Sequence, residues 1–279
     1  PLPDLPRSAW TILPDVSAQS ALIAAARAFW QVPEGAAVLA TPGTSALIAR
    51  IPALLPAGRV NIPGPTYNEH GRAFRAAGWQ VAETAEAEAL VVVHPNNPDG
   101  RLWRDVEAHL LTVIDESFAD TMPEQSLIAL AARPGTLVLK GLGKFWGLAG
   151  LRLGFAIGDP DLIAHLSTML GPWPVSGPAL AIGASALTDE GWARATRARL
   201  AKDSVRLDAL MMGAGARVVG GTPLFRLFDT PDAARWQEAL ARRYIWTRVF
   251  PYSRRWMRLG LPDGADQWQR LATAMEDLR

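Results

Sequence analysis

Primary amines are scarce in this chain. Among its 279 residues the only lysines are Lys140, Lys144 and Lys202, so any lysine chemistry has three candidates. Lys202 lies in Ala-Arg-Leu-Ala-Lys-Asp-Ser, a charged helical stretch, and reads as solvated. Lys140 ends an apolar strand and reads as a rim charge. Lys144 lies in Gly-Leu-Gly-Lys-Phe-Trp-Gly-Leu-Ala-Gly. Those glycines let the backbone approach a ligand. Apolar neighbours disfavour an ammonium ion and push the side chain towards a nucleophilic amine. A flexible loop lysine is the competing reading of the same segment.

Other residues in the first 154 positions could serve such an amine, and each also has a plain reading. Gly43-Thr44-Ser45 precedes an apolar helix, where free N–H groups, the helix dipole and two hydroxyls favour an anion. Without a ligand it is a Ser/Thr cap. Asp115 ends an apolar strand and is either a functional carboxylate or a turn cap. Asp115 and Glu116 do not read as an acid/base pair, because neighbours on a strand face opposite ways. His94-Pro-Asn-Asn97-Pro-Asp-Gly100 is a good turn, with His94 read as a rim histidine rather than a metal ligand. Tyr67 in Gly-Pro-Thr-Tyr-Asn-Glu says little alone. Arg152 stands eight residues after Lys144, and a guanidinium fork suits a phosphate.

Taken in order, these segments resemble the class I/II aminotransferases that use pyridoxal 5'-phosphate (PLP). Lys144-Phe-Trp-Gly-Leu-Ala-Gly-Leu-Arg152-Leu-Gly154 resembles their lysine segment. The resemblance implies that Lys144 carries the cofactor as an imine and that Arg152 pairs with its phosphate. Gly43, Thr44 and Ser45 then complete the phosphate cup, and Tyr67 stacks on the ring. Asn97 donates to O3', and Asp115 faces the pyridine nitrogen and keeps it protonated. Arg258, in Trp-Met-Arg-Leu-Gly-Leu-Pro, fits the segment that meets the substrate carboxylate. Arg248 and Arg226 are candidates for a second anionic group, with an ordinary surface charge as the alternative for each. Two positions depart from the pattern. Gly141 stands where a phosphate-binding serine is common, and Phe118 where a tyrosine bonds O3'. The second change predicts a raised imine pKa.

Pro-Gly-Thr-Ser-Ala-Leu-Ile, Asp-Glu-Ser-Phe-Ala-Asp and Met-Arg-Leu-Gly-Leu-Pro-Asp-Gly resemble, within that family, the threonine-phosphate decarboxylase branch of cobalamin biosynthesis. The implied reaction takes L-threonine O-3-phosphate to aminopropanol phosphate and CO2. A histidinol-phosphate-type aminotransferase is the alternative, and a non-catalytic scaffold or regulator domain is a third reading. The family further implies a homodimer and an N-terminal arm, ahead of position 1, that helps cover the substrate.

Positioning these residues takes an α/β scaffold. Helices are expected at Ala21–Trp30, Thr44–Leu55 and Tyr67–Ala77, with strands at Arg59–Ile62, Ala89–Val93, Leu110–Ile114 and Thr136–Leu139. The last three strands run into polar residues, where open α/β sheets place ligands. A long helix over Leu187–Met212 leads to strands at Ala216–Val219, Leu224–Phe228, Thr247–Phe250 and Trp256–Leu259. A closing helix spans Ala265–Leu278. The expectation is the PLP-dependent transferase-like, aspartate aminotransferase-type fold. It has a large α/β/α domain with a mostly parallel sheet over residues 1–190, and a small C-terminal α+β domain over 191–279.

Bulk properties narrow the partners. A net charge of +1 argues against nucleic acid and acidic membrane surfaces. The absence of cysteine removes disulfides and thiolate metal sites, so no metal is expected, and it fits a reducing, cytoplasmic setting. No apolar run reaches the roughly 20 residues of a membrane span. The chain opens at Pro1 rather than Met, so its first residues carry no argument about a leader. The expected partner is a small phosphorylated amino acid.

Overall fold

The computed structural model describes residues 4–83 and 86–276. The chain divides into two compact units. The first runs up to His94 and resumes over Leu102–Gly191; the second joins Pro95–Arg101 to the chain from Trp192 onward. The Asn97 loop therefore groups with the C-terminal unit, although in sequence it interrupts the other.

Seven strands form the sheet of the first unit: β1 (Ala37–Thr41), β2 (Arg59–Asn61), β3 (Gln80–Ala82), β4 (Ala89–Val93), β5 (Leu111–Asp115), β6 (Thr136–Gly141) and β7 (Gly154–Gly158). Their order is β1-β7-β6-β5-β4-β2-β3. The ladders from β3 through β6 are parallel, and β7 runs antiparallel between β1 and β6. Every residue of β4 and β5 is buried, as expected of parallel strands covered on both faces. The unit's helices are α1 (Ser8–Thr11), α2 (Val16–Phe29), α3 (Thr44–Ile48), α4 (Asn68–Ala76), α5 (Pro160–Leu170) and α6 (Gly177–Thr188).

Strand alternation assigns the two faces. Val91, Val113, Leu137, Leu139 and Ala156 pack with Leu47, Phe74 and Leu166 from α3, α4 and α5. On the other face the Trp30 ring, at the end of α2, meets Phe155 at 4.9 Å between centroids. By this alternation Asp115 shares the α4 face with Val113. Glu116 and Lys140 share the α2 face.

In the second unit α7 (Glu190–Gly213) leads to β8 (Arg217–Thr222), β9 (Phe225–Asp229), α8 (Ala233–Ala241), β10 (Arg248–Phe250), β11 (Ser253–Gly260) and α9 (Gly264–Glu276). The four strands form an antiparallel sheet in the order β10-β11-β9-β8. Leu207, Phe228, Trp236, Met257, Trp268 and Leu271 build its core. The last two positions expected in the closing helix, 277 and 278, lie outside the described residues.

Three expected helices differ. Helix α2 begins at Val16, five residues before the expected Ala21, with Asp15 as its N-cap. The Thr44–Leu55 helix stops at Ile48 and is followed by a 3-10 turn over Ile51–Leu54. Pro52 has no N–H to give the carbonyl of Ile48, and an α-helix cannot run through it. The long helix starts at Glu190 instead of Leu187, because α6 ends at Thr188 with Asp189 as its C-cap. Strands β1, β3 and β7 and helices α1, α5, α6 and α8 were not among the expected elements. Strand β3 has only three residues, β7 begins and ends on glycine, and the alanine-rich Gly177–Thr188 segment lacks a polar face.

Candidate active site

Lys144 lies on the turn between β6 and β7. Backbone bonds from Leu148 N to Leu142 O (3.0 Å) and Gly147 N to Lys144 O (3.1 Å) close this turn. Phe145 and Trp146 turn into the core, while Lys144 is exposed. Its apolar sequence neighbours thus do not enclose its amine, contrary to the reasoning from local sequence. The described environment of Nζ includes the Phe118 ring, 5.4 Å away.

Asp115 ends β5 with 3% of its surface exposed. His70, from α4, reaches its Oδ2 through Nε2 at 2.8 Å. Ser117 donates twice to Oδ1, from its N–H at 3.0 Å and its hydroxyl at 2.5 Å. Burial works against the charged form, but the His70 bond and charge and the two Ser117 bonds outweigh it. The carboxyl is held below the usual carboxylate range. Tyr67 stands just before α4 with its ring 6.0 Å from that of His70. Its phenol is pushed up by burial and by the charges of Glu69 and Asp115. Sequence reading missed His70 and Ser117. Their spacings, three residues after Tyr67 and two after Asp115, are the only signals.

Gly43, Thr44, Arg152 and Gly154 converge. A Cβ on Gly43, where φ is +86°, would lie 2.7 Å from Arg152 Nη2. One on Gly154 would lie 2.5 Å from Thr44 N, and one on Gly141 3.3 Å from Thr44 Cγ2. The glycines therefore let a guanidinium and the first N–H groups of α3 share one space. The N–H groups of Thr44 and Ser45 lack intrahelical acceptors, and the two hydroxyls add donors. With five residues in α3, the helix dipole adds less than a long helix would, so the donors and Arg152 carry the anion affinity. Arg152 itself is left-handed, at φ +52°, and exposed. The donor set fits a phosphate monoester.

In the second unit, Arg258 on β11 donates through Nη1 to Asn97 Oδ1. That bond leaves Nδ2 as the outward donor of Asn97. The loop is held by Asn96 Nδ2 on Asp99 Oδ1 at 2.7 Å and by Gly100 N on Asn96 O at 2.7 Å. Gly100, at φ +74°, sits so close to β8 that a Cβ would meet Gly221 O at 2.0 Å. Arg248 lies directly across from Arg258 in the β10–β11 ladder. Burial, then the charge of Arg248, lowers the pKa of Arg258. Two like charges at facing positions repel, so this pair is primed for an anion. Tyr252 is raised by burial and by Asp99, against the pull of both arginines.

Three expectations need correction. Arg226 makes a bidentate pair with Asp208, at 2.8 and 2.7 Å, so its fork is committed within its own unit. His94 is buried, at 1% exposure: Nε2 gives its proton to Gln125 O at 2.7 Å, and Nδ1 accepts from Trp103 N at 3.1 Å. It braces two loops. Lys140 is not a rim charge but is 2% exposed and paired with Glu116 at 2.5 Å. Among the described residues no cluster of three or more His, Cys, Asp or Glu could hold a metal ion, and no helix is long and apolar enough to cross a membrane.

A phosphate cradle beside an amine-bearing turn would serve several cofactors. A supported carboxylate at a strand end adds what a pyridine ring nitrogen requires. The fold and site thus define a PLP-dependent enzyme of the aminotransferase type. Residues 5–274 match the family described as aminotransferase class I and II, and the chain belongs to that family. A threonine-phosphate decarboxylase of Sinorhizobium sp is 39% identical, over 98% of this chain and 87% of that protein. One from Pseudomonas aeruginosa is 40% identical over the same shares. The crystal structure of the histidinol-phosphate aminotransferase from Clostridium acetobutylicum superposes with a TM-score of 0.85 at 17% identity, covering 96% of this chain and 90% of that one; it speaks for the fold alone.

Proposed function

We propose that this protein decarboxylates L-threonine O-3-phosphate to (R)-1-amino-2-propanol O-2-phosphate, a step of cobalamin biosynthesis, with PLP on Lys144. The observation that carries this reading is 39–40% identity to two threonine-phosphate decarboxylases, spread over 98% of the chain. When bound, the cofactor supplies a sink for the electron pair left as CO2 departs. The chain's own groups do the rest. Arg152, Gly43, Thr44 and Ser45 bind the cofactor phosphate. Asp115, kept ionised by His70 and Ser117, holds the proton on the ring nitrogen. Tyr67 covers the ring, and Asn97 offers Nδ2 to O3'.

The substrate brings two anionic groups. Arg258 takes its carboxylate and Arg248 its phosphate, and their mutual repulsion is relieved when both anions arrive. Loss of CO2 must be balanced by one proton delivered to the same carbon, and Lys144 Nζ is the group assigned to carry it. A homodimer belongs to the same reading. Trp10, Leu13 and Trp173 are exposed along an apolar cleft beside Gly150 and Leu151, a surface a second copy would cover; light scattering at a monomer's mass would remove that part.

The deciding experiment is incubation with L-threonine O-3-phosphate without any 2-oxo acid. Release of CO2 matched by aminopropanol phosphate is expected. Turnover that begins only when a 2-oxo acid is added would make the protein an aminotransferase.

A further inference from the structure

Beneath the Lys144 turn lies a buried group of charges that the reaction does not use. Asp120, 5% exposed, sits in a 3-10 turn five residues after Asp115 and two after Phe118. Its Oδ2 accepts from Trp146 Nε1 at 2.9 Å. Its Oδ1 accepts from Trp30 Nε1 at 2.9 Å and lies 3.6 Å from Lys140 Nζ. Lys140 comes four residues before Lys144 and Trp146 two after it. One carboxylate thus grips both ends of the turn that carries the amine.

We propose that Asp120 is a positioning residue that fixes Lys144 Nζ relative to Asp115. The inference rests on the reading of Lys144 as the cofactor-bearing lysine. PLP is engaged at two ends, the ring nitrogen by a group on β5 and the aldehyde by a group on the β6–β7 turn. The β5–β6 ladder, in which Asp115 pairs with Leu139, sets the strand ends. Asp120 adds a side-chain tie to the turn beyond them, because it leaves β5 on the same short connection as Asp115 and closes on the turn from both sides. A carboxylate suits the task, since two indole N–H groups and an ammonium converge on it and all three are donors. An amide would point a donor at one of them. The rings of Trp146 and Phe29, 5.1 Å apart, and of Phe145 and Trp146, 5.2 Å apart, pack round the grip and keep water from it.

Attachment joins Nζ to the aldehyde carbon, and the two hydrogens of the neutral amine leave with the carbonyl oxygen as water. Its rate reports the placement of Nζ. Enzyme stripped of cofactor is mixed with PLP, with protein fluorescence following binding and the visible band following attachment. Trp146→Phe, which keeps an aromatic ring but loses the N–H, and Asp120→Asn are each expected to slow attachment about tenfold. Because both cut one link, the double variant should be no slower than the worse single one. In a Lys144→Ala background, Trp146→Phe and Asp120→Asn should leave the affinity for PLP unchanged within about twofold. Attachment at the wild-type rate in folded Trp146→Phe would overturn the proposal, as would an equal loss of affinity in the Lys144→Ala background. If Lys144→Ala still fixes the cofactor on borohydride reduction, the reading of Lys144 itself fails.

Discussion

Asp115 and Glu116 are consecutive carboxylates at the end of one strand, and both are almost wholly buried. The protein holds them in opposite ways. Asp115 faces α4 and is held by a histidine and a serine, with no lysine or arginine paired to it among the described residues. Its charge is stabilised but not cancelled by a permanent cation, which leaves it able to answer a protonated ring nitrogen. Glu116 faces α2, where Lys140 pairs with it at 2.5 Å and Ser126 Oγ and Leu127 N donate to it at 2.6 and 2.5 Å. Its charge is consumed. The difference teaches that depth of burial does not mark a functional acid. The kind of partner does, a tunable one on one face and a fixed one on the other.

Breaking each member separately should give different phenotypes. Asp115→Asn keeps the shape and removes the charge. Turnover is expected to fall about 10^2–10^3-fold, with a stability loss of about 1.5–3 kcal/mol from the weakened His70 and Ser117 bonds. A variant that kept its turnover would deny Asp115 its role toward the ring nitrogen.

Glu116→Ala leaves Lys140 buried without its nearest partner. Urea titration should show a loss of about 3–5 kcal/mol in unfolding free energy, and the fraction that folds should still load cofactor. The two faces should also fail at opposite ends of the pH scale. Burial opposes the Lys140 ammonium, but Glu116 and Asp120 outweigh it and raise its pKa. A group raised on folding stabilises fully below its unfolded pKa of about 10.4, and that contribution is lost as pH climbs through the folded value. Asp115 is lowered on folding, so its contribution is present above about pH 3.9 and is lost as pH falls through its folded value.

His70→Gln sharpens the contrast on the Asp115 side. Losing a bond to a charged group is expected to cost about 1.5–3 kcal/mol. It lets the Asp115 pKa rise, so the acid-unfolding midpoint should move to higher pH. Lys140 and the alkaline limb should be untouched. An acid limb unchanged by the substitution would show that His70 does not support the carboxylate.

The smallest effect is expected from Phe118→Tyr, which restores a phenol close to Lys144. The pH midpoint of the visible band of the loaded enzyme should fall by less than about one unit. No downward movement would mean that a donor there does not reach O3'.

Much of the candidate site on the first unit was legible because it consists of local strings. Gly43-Thr44-Ser45 and the eight-residue spacing of Lys144 and Arg152 carry their own backbone requirements. The alternation that separates Asp115 from Glu116 follows from strand geometry. His70 was illegible because its partner lies 45 residues away, and Arg226 looked available until Asp208, one helix back, took its fork.

The sequence by itself singled out a candidate amine, a candidate carboxylate and a glycine turn suited to an anion, since glycine placement and strand period act over a few residues. Only the tertiary structure decided which charges stay open and which are consumed. Pairings such as Glu116 with Lys140, or Trp30 and Trp146 with Asp120, join segments far apart in the chain, and burial makes each compulsory by raising the cost of any charge left alone.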